Sequence, residues 1–496
     1  MLKDILEKYK RTMFLYILIG IGQIFAASIS VIYFQKLIDK IPSLKSIKEL
    51  LNVLILYGVL MISDCILSYI NEYPGKILQE GIYQRIKILA LKKVSLIAYK
   101  EYSNVGTGTL VKLIENGAEA GKKIIFDFYI YIAKELLPTI IISLVCIGIY
   151  DKSVVVAIGI GYILVFIITN LLLKYLYRIK EHVLINEEFI SKYFVRGIME
   201  MVVFRVNKRF KYEIEKIKNS ADSVIKAKAK ILMIHELFFT LFALIVIAIK
   251  ILIIIISVSK VSSTITVGTV VALISFVDKI YTPIAIFNVI FVDYKLDRVA
   301  YNRFLEFINS PEDKHLNYGK DIEFNNADIV FENVELCYGD REILKNISFH
   351  IKGGTSTAIV GTSGAGKSTI IKILLGLLKP NSGEVLVDNE ALKDVKLNAY
   401  YSYISYVSQD APIFDGTIRE NIIFNIKISD EDIYKVLELV QLKELICKLK
   451  DGLDTEVGEK GMKLSGGEKQ RLALARIFFQ KSKIVILDEP TSAMVA

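Results

Sequence analysis

The chain has 496 residues, 53% of them apolar, with a formal net charge of +9 and a mean hydropathy of +0.45. Such a composition excludes a purely water-soluble globule and makes a bilayer part of the solvent. The positive excess sits mostly in two polar loops, which argues against nucleic acid as a partner, and Cys65, Cys146, Cys337 and Cys447 show neither CxxC nor any other ligand spacing, so no metal site or disulfide is expected.

A hydrocarbon core about 30 Å thick takes roughly 20 apolar residues in a helix. Runs near 12–34, 49–70, 128–150, 154–177, 232–257 and 266–292 meet that length, and six of them together leave no room for buried helices of a soluble core. The first run follows a charged head but continues past Phe34 without a small-residue cleavage pattern, so it reads as a span and not as a removed signal. Residues 71–127 hold nine Lys/Arg and residues 178–230 thirteen, against four, one and one in the turns at 35–48, 151–153 and 258–265. By the positive-inside rule the two long loops and both chain ends are cytoplasmic. Both loops mix Ile, Leu and Val with Lys and Arg at helical spacing, so they are expected to form two helical hairpins extending from the membrane at 1.5 Å per residue. Their tips, near 105–117 and 197–210, are the expected docking points for the C-terminal domain. Asp64, Glu135, Glu236, Asp278 and Lys279 lie in or near spans, where ionisable groups are expensive and often functional.

Residues 1–310 are therefore read as a membrane domain. A linker follows over 311–328, opening at Ser310-Pro311, and 329–496 form a domain of short strands and turns, with VFENVELCYGD and GEVLVDN as an antiparallel flap beside an α/β core. TAIVGTSGAGKSTIIKILLGLL reads as a buried strand, a glycine-rich loop and a helix in succession. In the loop, Gly361, Gly364 and Gly366 permit a tight turn whose N–H groups, with those of Thr362, Ser363, Ala365 and Thr369, face phosphate oxygens. Lys367 supplies charge to the β/γ-phosphates and Ser368 a ligand for Mg²⁺, while the helix N-terminus adds its dipole. IVILDEP is a strand presenting Asp488 and Glu489 at its carboxyl end: Asp488 to hold the Mg²⁺ shell, Glu489 to polarise the attacking water in an in-line phosphoryl transfer.

LSGGEKQRLALARIF completes the pattern. With the six spans in front, the chain resembles a half-transporter of the ATP-binding cassette (ABC) exporter family along nearly all its length. Physically, Ser465, Gly466, Gly467 and Glu468 open a helix with free N–H groups, a hydroxyl and a positive dipole end. The resemblance implies that this clamp closes on ATP held by a second half-transporter. It also implies that Tyr338 stacks on adenine and that Gln409 contacts Mg²⁺ and water. TEVGEKG at 455–461 is similar to the exporter loop that touches the coupling helices, which favours export over import.

The expected architecture is an α-helical six-span membrane domain followed by an α/β P-loop NTPase domain. It would use ATP and Mg²⁺ to export a peptide, lipid or amphiphilic small molecule as a homo- or heterodimer, with a bacterial plasma membrane as the expected location. An importer on the same fold and a non-transporting ATP-binding membrane protein are the alternatives. The departure from the family is at the end. The family's switch histidine and its strand after IVILDEP have no counterpart, since His182, His235, His315 and His350 all precede the phosphate loop. In the family that strand lies between the phosphate-loop strand and the IVILD strand, so the domain is expected to be incomplete and poorly packed.

Overall fold

The computed structural model describes residues 2–43, 48–104, 107–150, 152–258, 266–339, 341–424, 426–458, 461, 463–480 and 482–490. Two compact units result, the first of Met1–Lys92 and Thr107–Asn309, the second of Lys93–Gly106 and Ser310–Ala496.

The first unit is built of helices: α1 (Leu2–Lys40), α2 (Lys48–Val94), α4 (Thr107–Lys122), α5 (Leu137–Tyr150), α6 (Lys152–Met199), α7 (Met201–Val206), α8 (Phe210–Val258) and α9 (Val267–Ile308). α3 (Tyr99–Asn104) belongs to the second unit. Hydrocarbon offers no partner for backbone N–H and C=O groups, so apolar runs of this length close their hydrogen bonds within themselves. Among the described residues, Glu7–Lys40, Leu50–Val94, Leu110–Tyr150, Phe210–Ser257 and Val267–Ile308 are long and apolar enough to cross a membrane. The remaining predicted run, 154–177, lies in α6, several of whose side chains fall outside the described residues. α9 forms the centre: Phe276, Val277, Ile280 and Tyr281 are fully buried against Ile147, Ile158 and Ile253, and the Tyr281 hydroxyl donates to the Ile158 carbonyl at 2.9 Å. That bond removes the cost of burying a bare hydroxyl. None of the most apolar window of α2 is buried within the chain, as suits a face covered by lipid or a partner.

Between α4 and α5 the third span is not α-helical. Lys123–Ile130 and Ile132–Leu136 are π-helix, a geometry usually confined to single turns. At the far end of the second hairpin, Glu213 is almost fully buried. It accepts hydrogen bonds from Arg196 and from Arg209 Nε, the latter at 2.9 Å, and both guanidinium groups lie over the Phe204 ring. That clamp folds the tip while leaving Ile198, Met199, Val202 and Val206 exposed.

Lys93–Gly106 joins the second unit for a local reason. The Leu96 carbonyl accepts from Asp313 N at 2.8 Å, Ala98 N donates to the Pro311 carbonyl at 3.2 Å, and Ile97 bridges Glu312 in antiparallel fashion. Lys93, 7% exposed, donates to the Ser310 carbonyl at 2.7 Å and pairs with Glu312 at 2.8 Å. These contacts tie residues 93–98 to the start of the linker; of the expected docking tip near 105–117, residues 105 and 106 are outside the described residues.

In the second unit, β1 (Ile329–Tyr338), β2 (Arg341–Ile351), β3 (Ser382–Val387) and β4 (Glu390–Ala391) form an antiparallel sheet in the order β2-β1-β3-β4. β5 (Ile404–Val407) and β6 (Ile484–Leu487) form a separate parallel pair, Ile404 opposite Ile484. One apolar core joins Phe331, Val387 and Tyr400 to Ile373 of α10 (Lys367–Leu374) and Ile486 of β6. A second core joins α12 (Ile418–Ile423), α13 (Asp430–Leu439) and α14 (Lys443–Cys447) to Leu472 and Ala475 of α15 (Gly466–Ala475). α11 (Leu397–Tyr401) lies between β4 and β5 in the chain.

One expectation is corrected here. The segment TAIVG, 357–361, is neither a strand nor buried: Ile359 is 41% and Val360 88% exposed. An isolated strand is not stable, and among the described residues no neighbour supplies a ladder for it. Among the described residues, β6 pairs with β5 and with no other strand.

Candidate functional site

The glycine-rich loop enters α10 through left-handed residues, Gly364 at φ +83° and Gly366 at φ +91°, a region that costs glycine nothing. The space in front of Gly364 is open, with nothing within 4 Å of where a Cβ would sit. Gly366 is the N-cap of α10 and brings no side chain to its N-terminal N–H groups, which stay available to an anion. Lys367 folds back over the loop, its Nζ donating to the carbonyls of Gly361 at 2.8 Å and Thr362 at 3.1 Å. Thr362, Ser363, Ala365 and Ser368 are exposed and Thr369 half-buried, so the loop presents an open cradle with one ammonium group over it.

β6 delivers Asp488 and Glu489. Asp488 N donates to the Val407 carbonyl at 2.9 Å, which extends the β5–β6 ladder by one bond. Burial pushes the Asp488 carboxyl up from its ordinary range and neighbouring Glu489 adds to the rise, while Lys372 and Lys367 oppose it. Lys367 and the two carboxylates therefore share one electrostatic neighbourhood. A carboxylate raised by burial and by a second carboxylate is short of positive charge, and hard oxygen donors of this kind suit Mg²⁺. Glu489 has a left-handed φ of +49°, unusual for a non-glycine residue and typical of functional positions. Gln409, exposed after β5, donates through Nε2 to Glu489 Oε2 at 2.6 Å. Asp488, Glu489 and Gln409, together with Lys367, thus converge at the carboxyl ends of the parallel pair.

The LSGGE segment is built on the other core. Ser465 is the N-cap of α15: its hydroxyl accepts from Glu468 N at 3.3 Å, and Glu468 Oε2 accepts from Ser465 N at 2.6 Å. The S-x-x-E spacing is therefore a capping box as well as a candidate phosphate clamp. Gly466 and Gly467 form the first turn, Gly466 exposed. Tyr338 ends β1 opposite Arg341, and its side chain lies outside the described residues, as do Glu459 and Lys460 of the TEVGEKG loop.

Two residues near the site carry no sequence signal. Lys372, one turn beyond Lys367 on α10, acts on Asp488 and lies 5.8 Å from the centre of the Tyr99 ring. Only the fold reveals that contact, because Tyr99 comes from the first hairpin's end. Of the ionisable residues in the spans, Asp278 pairs with Lys250 at 2.6 Å, Lys279 donates to the Ala27 carbonyl, Glu236 is exposed, Asp64 is half-buried and Glu135 lines a cavity.

Fold and site define a helical membrane unit joined to a phosphate-loop ATPase unit. The family profile for the ABC transporter transmembrane region matches residues 13–284, and that for the ABC transporter matches 344–492. The chain belongs to the ABC transporters, in which ATP hydrolysis is coupled to transport. Over 169 residues it is 48% identical to "Iron-sulfur clusters transporter ATM1, mitochondrial" of Saccharomyces cerevisiae, covering 34% of this chain but only 24% of that protein. It is 28% identical over 482 residues to "Putative export ATP-binding/permease protein" of Rickettsia prowazekii, covering 93% of this chain and 81% of that one. A solved bacterial Atm1-family ABC exporter with ATP bound superposes with a TM-score of 0.85 over 99% of this chain and 87% of its own. At 22% identity that is a likeness of fold.

Proposed function

We propose that the chain is one half of a dimeric ATP-driven exporter, in a bacterial plasma membrane, moving an amphiphilic cargo from the cytoplasm. The observation that carries this reading is the convergence of Lys367, Asp488, Glu489 and Gln409. Gly361 to Thr369 would hold the phosphates of ATP, with Ser368, Asp488 and Gln409 taking the Mg²⁺ shell. Mg²⁺ would neutralise charge developing on the transferred phosphoryl group. Glu489 would polarise the attacking water, held in place by the amide of Gln409. Tyr338 would stack on adenine, and Ser465, Gly466, Gly467 and Glu468 would meet the ATP of the second half-transporter. The placement of the phosphate loop and the LSGGE helix on different apolar cores supports that division.

Glu489→Gln keeps the shape of the side chain and removes its charge, so ATP is expected to bind and to hold the closed dimer while turnover falls at least about a hundredfold. Lys367→Ala is expected to lose most of the nucleotide affinity instead. Nucleotide binding, dimerisation and phosphate release on both variants make the check; normal turnover by Glu489→Gln would refute its role. Direction is read from inside-out vesicles, where an exporter accumulates cargo with ATP and an importer does not. The exposed 357–361 segment favours a second reading for the chain as written, a nucleotide-binding membrane protein with little turnover.

A further inference from the structure

The second unit holds a cavity of about 190 Å³ at the end of α10 that points away from the phosphate loop. The helix runs from Lys367 to Leu374, so at 1.5 Å per residue the cavity stands about 10 Å from the loop. Its floor is apolar: Ile373 of α10, Val385 of β3, Leu392, and Leu397 of α11 all belong to the core behind the antiparallel sheet. Its rim comes from three stretches of chain, the linker at His315, the turn after α10 at Lys379 and Pro380, and Lys393 just after β4.

Backbone hydrogen bonds hold that rim in place. Gly376 closes α10 at φ +68°, its N–H donating to the Ile373 carbonyl at 2.8 Å, and Leu377 N donates to the Lys372 carbonyl at 2.9 Å. Asn381 then ties the turn to β1: its N–H donates to the Glu335 carbonyl and its side-chain oxygen accepts from Cys337 N, both at 2.8 Å. A hollow fixed in this way costs a ligand little ordering. Four ionisable side chains line it. Glu384, the one carboxylate among them, is taken by Lys393 at 3.2 Å. That leaves the His315 imidazole and Lys379, which is exposed and makes no ion pair or side-chain hydrogen bond among the described residues. An ammonium group at the mouth of an apolar hollow complements an anion carried on an apolar body. The volume lies below the roughly 300–1,000 Å³ that encloses a drug-sized ligand, so it suits one ring or a short chain.

We propose that this cavity binds a small anionic amphiphile, a carboxylate on a single ring or short acyl chain, with its apolar body against Leu397 and its carboxylate at Lys379. The site is separate from the phosphate loop and from the spans, and the proposal stands whether or not the chain exports. The probe is 4-phenylbutyrate, titrated by ligand-observed NMR into the full chain in phosphatidylcholine nanodiscs, with empty nanodiscs as the blank. 4-Phenylbutylamine, of the same body and opposite charge, serves as the comparison. The anion is expected to saturate at least about tenfold tighter than the amine. Lys379→Glu is expected to weaken the anion about tenfold and narrow that gap, Lys379→Arg to keep both, and His315→Trp, which fills the mouth with an indole, to abolish saturable binding. Equal binding of the two ions by the unaltered chain would overturn the proposal, as would an undiminished affinity in Lys379→Glu or in folded His315→Trp. Competitive displacement of the probe by ATP would overturn it too, by assigning the probe to the phosphate loop. Should His315→Trp not fold, Lys379→Glu, altered at an exposed side chain outside the core, and the comparison of the two ions decide.

Discussion

Asp388 shows how much one carboxylate can organise. Its Oδ2 accepts from the backbone N–H of Asn325 at 2.8 Å and Asn326 at 3.2 Å, and its Oδ1 from Asp328 at 2.8 Å, so the linker is tied to the end of β3. Burial pushes this carboxyl up, but the backbone donors of Ala327, Asp328, Asn325 and Asn326 together outweigh burial and hold it below its ordinary range. A depressed carboxyl contributes stability that is fully present above the unfolded value near 3.9 and is lost as pH falls through the folded value. Asp388→Asn is therefore expected to lower stability by roughly 1–3 kcal/mol at neutral pH and to flatten the acid limb below about pH 4. Unfolding midpoints of the full chain at pH 7 and across the acid range check this; matching profiles for both proteins would exclude the role. At the same scale, Ser465 and Glu468, read from the sequence as part of a phosphate clamp with free N–H groups, prove also to cap their own helix, each taking a backbone N–H of the other. Their spacing marks a helix start by backbone chemistry alone, whatever phosphate they meet.

At the scale of elements, the phosphate-loop strand is the place where local reading failed. TAIVG is apolar and β-prone, but a strand exists only through its neighbours, and Thr355–Thr362 has no ladder among the described residues. With Val360 88% exposed, protease is expected to cut within 355–362 before it cuts β1–β3, and phosphate release by the 496-residue chain is expected to be low. Resistance of that segment together with brisk, Lys367-dependent turnover would contradict the expectation. A ladder partner laid beside both 357–361 and β6 would anchor the loop and cover Val485 and Leu487, now 49% and 43% exposed. The π-helical stretch is the opposite case. Its sequence, KIIFDFYI, reads as any apolar helix, because the switch from i→i+4 to i→i+5 bonding is decided by packing against α1 and α9 and not by residue type.

For the whole molecule, the functional question is how the membrane unit answers to ATP. The second hairpin's tip, expected to dock on an ATP-binding domain, carries Arg205, Lys208 and Arg209. Arg205 and Lys208 are exposed, Arg209 pairs with Glu213, and Ile198, Met199, Val202 and Val206 give the same tip an exposed apolar surface. An apolar side chain gains about 1.5–3 kcal/mol on burial. Val202→Asp with Val206→Asp should therefore abolish docking, leaving nucleotide affinity within about twofold while cargo transport falls more than about tenfold. Transport at the unaltered rate would show the tip to be a solvated surface.

What the sequence by itself determined is the chemistry of contiguous strings and the solvent of long runs. GTSGAGKST, LSGGE and ILDEP mark the proposed nucleotide site because backbone N–H groups, a lysine and paired carboxylates must stand at close sequence spacing to bind phosphate and metal. The apolar runs name the bilayer because each must satisfy its own backbone there. Only the tertiary structure decided what depends on residues far apart in the chain. It brought Gln409 onto Glu489, Lys372 under Tyr99, and Lys93 onto Ser310 and Glu312, and it left Val360 without a ladder. Each of these rests on packing or pairing across tens to hundreds of residues, a free energy that belongs to the pair and that neither partner's local sequence contains.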